Sequence, residues 1–406
     1  MRIEPEKVKG FPEFLPPESQ KREAIKKLIK KYFELYGFMP IETPMIEYDE
    51  LMRSDVLEGE DEAISDRFRL KDRAGRNLGI RYEFTFQLAR IFKQNPNLKT
   101  PFKRYQIGKV LRDEPTSSNR FKEFTQCDID IIGDSSIKAD AECIATFIDI
   151  LKELNIKAVV KINNKKLLTS ILDSVKIQNR IEVMRELDKL DKIGEDNVKG
   201  NLRKYADANQ ILTLFKLLEK DISFFKENLF EGAEEVEELQ NNLKLYGYKA
   251  EFDPFLARGL SYYTGNIFEI KSIDSSGAIG AGGRYDNLVG KFLEKEIPAV
   301  GISFGLERLT SIAKIDIENT KVILISLSKD KETIKLAQKL RKECIPCITF
   351  FGKPGKALEF ANAQQISYAI FIGQDEITAK KFKLKDMTSG EEKLLTEKQM
   401  ISKLGK

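Results

Sequence analysis

Apolar residues recur every three to four positions between residues 20 and 36. Ile25, Leu28, Ile29, Tyr32, Phe33 and Tyr36 share one face of a helix, with Lys and Glu between them. Gly37 ends that run. The stretch from Phe38 to Glu47 contains Pro40 and Pro44 and reads as an irregular or edge strand. Residues 78–94 open as a short strand and continue as a helix. Phe102 to Arg112 and Phe124 to Ile132 both carry strand patterns, and the polar loop Asp113 to Lys122 lies between them. The pair predicts a long antiparallel hairpin with a charged tip. Residues 138–154 return to helical spacing.

The pattern changes at residue 160. From there to 247 the chain is helical, rich in Lys, Glu and Leu, and poor in Gly and Pro. This block reads as an insertion between two halves of one fold. Strand signals return at 249–255, 266–273 and 278–283, followed by a Gly-punctuated stretch to about 313. A new unit begins near 321. Strand 322–327, helix 331–343, strand 348–351, helix 354–365 and strand 368–372 alternate, and a hairpin over 381–395 and a last helix follow. That order predicts a small α/β domain with a partly parallel sheet. The expected division is 1–160 with 248–316, an insertion at 161–247, and a terminal domain at 320–406.

Composition narrows the chemistry more than it narrows the fold. The chain has 406 residues and contains no histidine and no tryptophan. Without an imidazole, Ser-His-Asp and Cys-His catalysis, HExxH metal sites and Cys2His2 zinc fingers are excluded. Proton transfer near neutral pH falls to a shifted carboxylate, Lys, Tyr, Cys or the substrate. No run of 18 apolar residues predicts a membrane span, and the first residues carry no apolar leader segment. Four cysteines make no disulfide framework, so a reduced, cytoplasmic protein is expected. Cys344-Ile345-Pro346-Cys347 has no second pair beside it and reads as two packed thiols, with no metal expected.

The net charge of +4 is unevenly spread. Residues 321–406 hold 17 Lys/Arg and 10 Asp/Glu, while the rest hold 51 and 54. A basic terminal domain suits nucleic acid, and it equally fits ordinary surface lysine.

Three segments carry candidate chemistry. On one face of the hairpin, Arg112, Glu114, Arg120 and Phe124 come together, because neighbouring strands lie about 4.8 Å apart. Guanidinium groups bind phosphate oxygens, a phenyl face stacks a purine, and a carboxylate accepts from its amino group. The same residues also fit a solvated hairpin with cross-strand ion pairs. Leu256 to Gly265 sets Tyr262 and Tyr263 beside Arg258 between glycines, which reads as a polar pocket wall or as an aromatic strand end. Gly301 to Arg308 places glycines before a helix that carries Arg308. Neither a dinucleotide GxGxxG unit nor a GxxxxGK[ST] loop occurs.

Together these segments resemble the histidyl-tRNA synthetase family, of class II aminoacyl-tRNA synthetases, over nearly the whole chain. GFPEFL (10–15) is similar to the family's opening, and Tyr36 to Glu47 to its motif 1 region. RYEFT (81–85) resembles its R-P-E-x-T, and the run from Pro101 to Gly133 its motif 2. ARGLSYYTG (257–265) and AGGRYDNLV (281–289) resemble the two histidine-specific signatures, and Gly301 to Arg308 motif 3. Residues 321–406 resemble the class II anticodon-binding domain.

The resemblance implies an α+β fold: an antiparallel catalytic sheet with flanking helices, a helical insertion, and an α/β anticodon domain. It implies histidine-dependent ATP activation and transfer to tRNA(His), with Mg2+ accompanying ATP and a homodimer formed through motif 1. Glu83, Thr85 and Gln126 would hold the amino acid's backbone. Asp130 and Tyr263, beside Tyr262, would meet the imidazole. Arg112 would contact the ATP α-phosphate, Glu114 and Phe124 the adenine, Arg308 its other face, and Arg120 the terminal phosphates. Arg258 would stabilise charge at the α-phosphorus. The chain departs from the family with Ser261 for the usual Asp, Asn287 for Gly, and Thr125. The alternative within the same fold is a non-charging regulatory subunit of ATP phosphoribosyltransferase. Such subunits generally lack the anticodon domain and the nucleotide arginines, both of which are present here.

Overall fold

The computed structural model describes residues 5–52, 67–117, 120–257, 262–274, 277–315 and 321–405. It divides into two compact units, the first ending at Ile315.

The first unit is built on an eight-stranded sheet in the order β1-β5-β6-β11-β10-β9-β7-β8. The strands are β1 (Met39–Pro40), β5 (Phe102–Leu111), β6 (Glu123–Ile132), β7 (Ala158–Asn164), β8 (Glu251–Phe252), β9 (Asn266–Ser272), β10 (Ala278–Arg284) and β11 (Ala299–Gly305). Every pairing from β5 across to β7 is antiparallel, and only the two-residue edge strands β1 and β8 pair parallel. A separate three-stranded sheet joins β2 (Ile46–Tyr48), β3 (Arg69–Lys71) and β4 (Asn77–Ile80).

The predicted hairpin is the centre of this architecture. Along β6, Cys127, Ile129 and Ile131 point into the core, where they join Ile25, Ile29 and Phe33 of α1 (Glu18–Leu35). That contact is the apolar face expected for residues 20–36. Phe147 of α3 (Ile137–Glu153) stacks on Phe304 of β11 at 3.7 Å and on Phe33 at 6.0 Å. Helix α2 (Phe86–Gln94) follows β4. The alternate residues of β6 face the other way, and there the sheet is left open to a cavity.

The helical block consists of α4 (Lys165–Ser174), α5 (Arg180–Leu187), α6 (Leu190–Ile193), α7 (Glu195–Leu202), α8 (Ala208–Leu218), α9 (Ile222–Glu227) and α10 (Ala233–Leu245). The boundary expected at 161 falls inside β7, which pairs with β9 through Asn164. Asn163, Asn164 and Asn266 are fully buried there, although asparagine reads as a loop residue. Their amides are satisfied: Asn163 donates to the Pro254 and Leu256 carbonyls, and Asn164 to Glu235 and Asn266. After the block, α11 (Leu306–Ile312) continues from β11.

The second unit orders its strands β13-β12-β14-β15-β16: Cys347–Phe350, Val322–Ser326, Tyr368–Ile372, Lys381–Asp386 and Glu392–Thr396. The first three run parallel and the last two form the hairpin. Helices α12 (Asp330–Lys342), α13 (Pro354–Ala363), α14 (Gln374–Ala379) and α15 (Glu397–Leu404) complete it. Only one thiol of the CxxC packs. Cys344 is exposed in the left-handed turn after α12, and Cys347 is part-buried in β13. Among the described residues no helix is long and apolar enough to cross a membrane.

Candidate active site

The open face of the sheet forms the floor of a cavity of about 730 Å³. Its wall brings together every described residue singled out from the sequence: Glu83, Thr85, Arg112, Glu114, Arg120, Phe124, Gln126, Asp130, Tyr262, Tyr263 and Arg308. Arg258 and Ser261 lie outside the described residues.

Two-residue periodicity explains how residues far apart in sequence meet. On β6, Phe124, Gln126, Asp128 and Asp130 share the cavity face. The register sets Asp130 opposite Arg104 on one side and Gly301 on the other. It sets Asp128 between Gln106 and Ser303, and Gln126 between Gly108 and Gly305. Gly301 is required, because a Cβ there would fall on the Asp130 carboxylate.

At one end the wall is acidic. Glu83 folds back to accept from the backbone N–H of Thr85 and, at 2.8 Å, of Phe86, which caps the start of α2. Asp130 forms an ion pair at 2.5 Å with Arg104, which has no exposed surface, and accepts from the Tyr285 hydroxyl. Arg104 also donates to the Phe84 carbonyl at 3.1 Å, tying the Glu83 turn to β5. Burial pushes the carboxyls of Glu83 and Asp130 up, while hydrogen bonds and Arg104 pull them back. Asp128 accepts from the Ser303 hydroxyl, and Gln126 donates its amide to Ser303 at 2.9 Å. Tyr262 and Tyr263 close this end with ring centroids 4.6 Å apart.

At the other end the wall is basic and aromatic. Arg112 donates to the Tyr82 carbonyl at 3.1 Å and lies over the Phe124 ring at 5.2 Å. Arg120 pairs with Glu114 through two nitrogens. Arg308 donates to the Ala278 carbonyl across the cavity. The first residues brace this hairpin: the Gly10 carbonyl accepts from Lys122 N–H at 2.9 Å and Glu123 N–H at 3.2 Å. Gly10 has φ +89°, and a Cβ there would press on Lys122 and Thr116. Glu307 accepts from Thr125 N–H at 3.1 Å and from Arg22 at 2.7 Å. Arg22 in turn sits 3.7 Å from the centre of the Phe14 ring. The motif residues around 10–15 and 301–308 are thus joined through one carboxylate.

Sequence reasoning missed Arg104, Asp128, Tyr285, Ser303 and Glu269. All but Arg104 line the cavity, and Arg104 lies buried beneath it. The signal was present for Asp128, two residues from both Gln126 and Asp130 on a strand that had been recognised. Arg104 needed the strand register, since its partner is on the other arm of the hairpin.

Comparison with known proteins shows the family. A histidyl-tRNA synthetase family model matches residues 10–309, and an anticodon-binding-domain model matches 321–406. A histidine--tRNA ligase of Bacillus cereus is 38% identical over 414 residues, covering 96% of this chain and 95% of its own length. The crystal structure of a histidyl-tRNA synthetase from Nostoc superposes with a TM-score of 0.87 at 30% identity, over 99% of both chains. A Bacillus halodurans structure described as an ATP phosphoribosyltransferase regulatory subunit/histidyl-tRNA synthetase has a TM-score of 0.76 at 22% identity, covering 91% of this chain and 99% of its own, and so shares the fold. With its catalytic-family match running from Gly10 to Leu309 and a close relative over almost its full length, this chain belongs to the histidyl-tRNA synthetase family.

Proposed function

We propose that this protein attaches L-histidine to tRNA(His) through a histidyl-adenylate, and that each end of the one cavity does part of the work. The observation that carries this reading is the division of its wall. Carboxylates, an amide and paired tyrosines stand at one end, and three arginines with a phenyl ring stand at the other.

In this reading Glu83, Thr85 and Gln126 hold the α-ammonium and backbone of histidine. Asp130 and Tyr263, with Tyr262 beside them, meet the two imidazole nitrogens. Such a pocket rejects other side chains by leaving buried polar groups unpaired, a discrimination of roughly 10⁴ or more. Phe124 and Arg308 sandwich the adenine, Glu114 accepts from its amino group, and Arg120 leaves Glu114 for the terminal phosphates. Mg2+ would accompany ATP and offset its phosphate charge, and the Glu269 carboxylate on the cavity wall is the residue that would add an oxygen ligand to it.

The histidine carboxylate attacks the α-phosphorus in line. A new O–P bond forms as the bond to pyrophosphate breaks. Arg112 and Arg258 answer the charge that grows on the equatorial oxygens. The terminal tRNA hydroxyl then attacks the acyl carbon, the bond to AMP breaks, and the hydroxyl proton passes to a phosphate oxygen of the departing AMP. The attacking carboxylate is already ionised, so the first step needs no imidazole base.

The same reading gives the helical block, 161–247 as expected from sequence, to the acceptor stem, and residues 320–406 to the anticodon; 1–160 with 248–316 form the catalytic body. It makes the protein a homodimer, with support from the exposed Met39, Met45 and Ile46 in the motif 1 region and Tyr48 just after it. Cytoplasmic placement fits the four free cysteines. The retained Arg112, Arg308 and terminal domain favour charging over a purely regulatory role.

The test is ATP–pyrophosphate exchange with each of the twenty amino acids. Exchange is expected with histidine alone, and its absence with histidine ends this reading. The brace gives a second expectation. Arg22→Ala leaves Glu307 without its cation and loosens Thr125 beside the loop of the hairpin, so the KM for ATP should rise about tenfold. Exchange at varied ATP measures this, and an unchanged KM would show that Arg22 does not hold the hairpin.

A further inference from the structure

The acidic end of the cavity holds one more carboxylate than the assigned roles use. Asp128 sits on β6 between Gln126 and Asp130, is 6% exposed, and lines the cavity. Its carboxylate accepts from the Ser303 hydroxyl, and the Gln126 amide nitrogen lies 3.4 Å from both of its oxygens. The same amide nitrogen donates to Ser303 at 2.9 Å. Two groups, the Asp128 carboxylate and the Ser303 hydroxyl, thus fix the Gln126 amide in one orientation. Its carbonyl oxygen remains buried with no hydrogen-bond partner. A buried acceptor left unpaired is costly and calls for a donor.

The charges around Asp128 point to the kind of donor. Glu83 faces it from the turn before α2, Asp130 from its own strand, Ser303 from β11 and Arg104 from β5. Glu269 of β9 lies further along the same row of the sheet, opposite Ala281, which itself stands opposite Ser303. Near Asp128, three carboxylates therefore share one guanidinium, which is already 2.5 Å from Asp130. A small cation with several hydrogen-bond donors would supply both the missing charge and the donor for Gln126.

We propose that Asp128 is a further substrate-binding residue, which with Glu83 neutralises the α-ammonium of the bound amino acid and sets the Gln126 carbonyl to receive it. This deepens, and rests on, the assignment of the cavity to histidine. An ammonium has three donors, and Glu83, Gln126 and Asp128 offer three acceptors on adjacent walls. A carboxylate that is fixed before the ligand arrives costs little ordering when it binds.

A proton-linked consequence follows. Burial pushes the Asp128 carboxyl up to about 7, opposed by Arg104 and the Ser303 hydroxyl and reinforced by Asp130 and Glu83. The free site therefore holds a share of a proton at neutral pH, and an incoming ammonium expels it. Affinity for an ammonium-bearing ligand is full above about pH 7 and weakens as pH falls through it.

The experiment compares L-histidine with its des-amino analogue, 3-(imidazol-4-yl)propanoate, on the full-length wild type and on Asp128→Asn. The variant keeps the shape and removes the charge. Histidine affinity should fall about 10- to 100-fold in the variant, and the extra pH dependence of the wild type should vanish. Affinity for the analogue, and the KM for ATP, should hardly change. Equal loss for both ligands, or no loss for histidine, overturns the proposal. If Asp128→Asn does not fold, the wild type alone decides. Infrared difference spectra near pH 6.5 should lose a protonated-carboxyl band when histidine binds and keep it when the analogue binds. A band unchanged by histidine overturns the proposal. Absence of any histidine-dependent exchange in the wild type would instead overturn the functional reading beneath it.

Discussion

Arg104→Met should destabilise the catalytic unit by about 3–5 kcal/mol and remove histidine activation. The guanidinium has no exposed surface, pairs with Asp130 at 2.5 Å and donates to the Phe84 carbonyl at 3.1 Å. It is the cation that offsets burial for Glu83, Asp128 and Asp130 alike. Without it, those carboxyls would take up protons rather than stay charged in a dry wall. In the proposed assignment, a protonated Asp130 would offer the imidazole a poorer acceptor, and neutral Glu83 and Asp128 would no longer counter an ammonium. Methionine fills the volume, so the loss reports charge more than packing. Chemical denaturation gives the stability change, and pyrophosphate exchange gives the activity. Arg104→Lys restores the charge without the planar fork and should recover only part of either. Wild-type stability with wild-type histidine KM would refute the view that one cation organises this end.

Arg112→Ala should slow adenylate formation by about 10²–10³ while leaving histidine affinity nearly unchanged. The side chain is held before any ligand arrives, by the Tyr82 carbonyl at 3.1 Å and by the Phe124 ring at 5.2 Å. Glu114 stands 3.9 Å away, close enough to orient the guanidinium. A donor fixed in this way answers charge developing at the α-phosphate without reorganising. Arg112 also stiffens Phe124, so the KM for ATP should rise as well. Single-turnover adenylation separates the two effects, because the rate at saturating ATP reports the transition state alone. A rate within a few-fold of wild type at saturation would remove Arg112 from the phosphate and leave it a stacking role.

The cavity residues were legible in the sequence to unequal degrees. Glu83, Gln126, Asp130, Tyr262 and Tyr263 stand in contiguous motifs, and the structure brings them to one wall. Their present partners were not legible. Asp130 is engaged by Arg104 and Tyr285, and Arg120 by Glu114, which depends on strand register and loop closure rather than local pattern. Strands β5, β6, β8, β9 and β10 were legible in the sequence, whereas β7 was absorbed into the helical block and the glycine-containing β11 carried no strand signal. The helical reading from residue 160 overran β7, because Asn163 and Asn164 carry no strand pattern of their own and are held by partners on β9 and α10. Helix α14 escaped notice. It is six residues long, and its start is secured by Glu376 accepting from Gly373 N–H, a cap visible only in the folded chain.

By itself the sequence determined which chemistry is open to this protein. With no histidine in 406 residues, the only imidazole that can enter its site is the substrate's own. It also determined the alternation that makes one face of β6 apolar and the other polar, because a strand's period of two follows from backbone geometry alone. Only the tertiary structure decided the charge balance. Arg104, Glu83, Asp128 and Asp130 come from two strands and a turn, and their protonation is set by distance and dryness. Both depend on how the sheet closes over its core, and neither exists until it has done so.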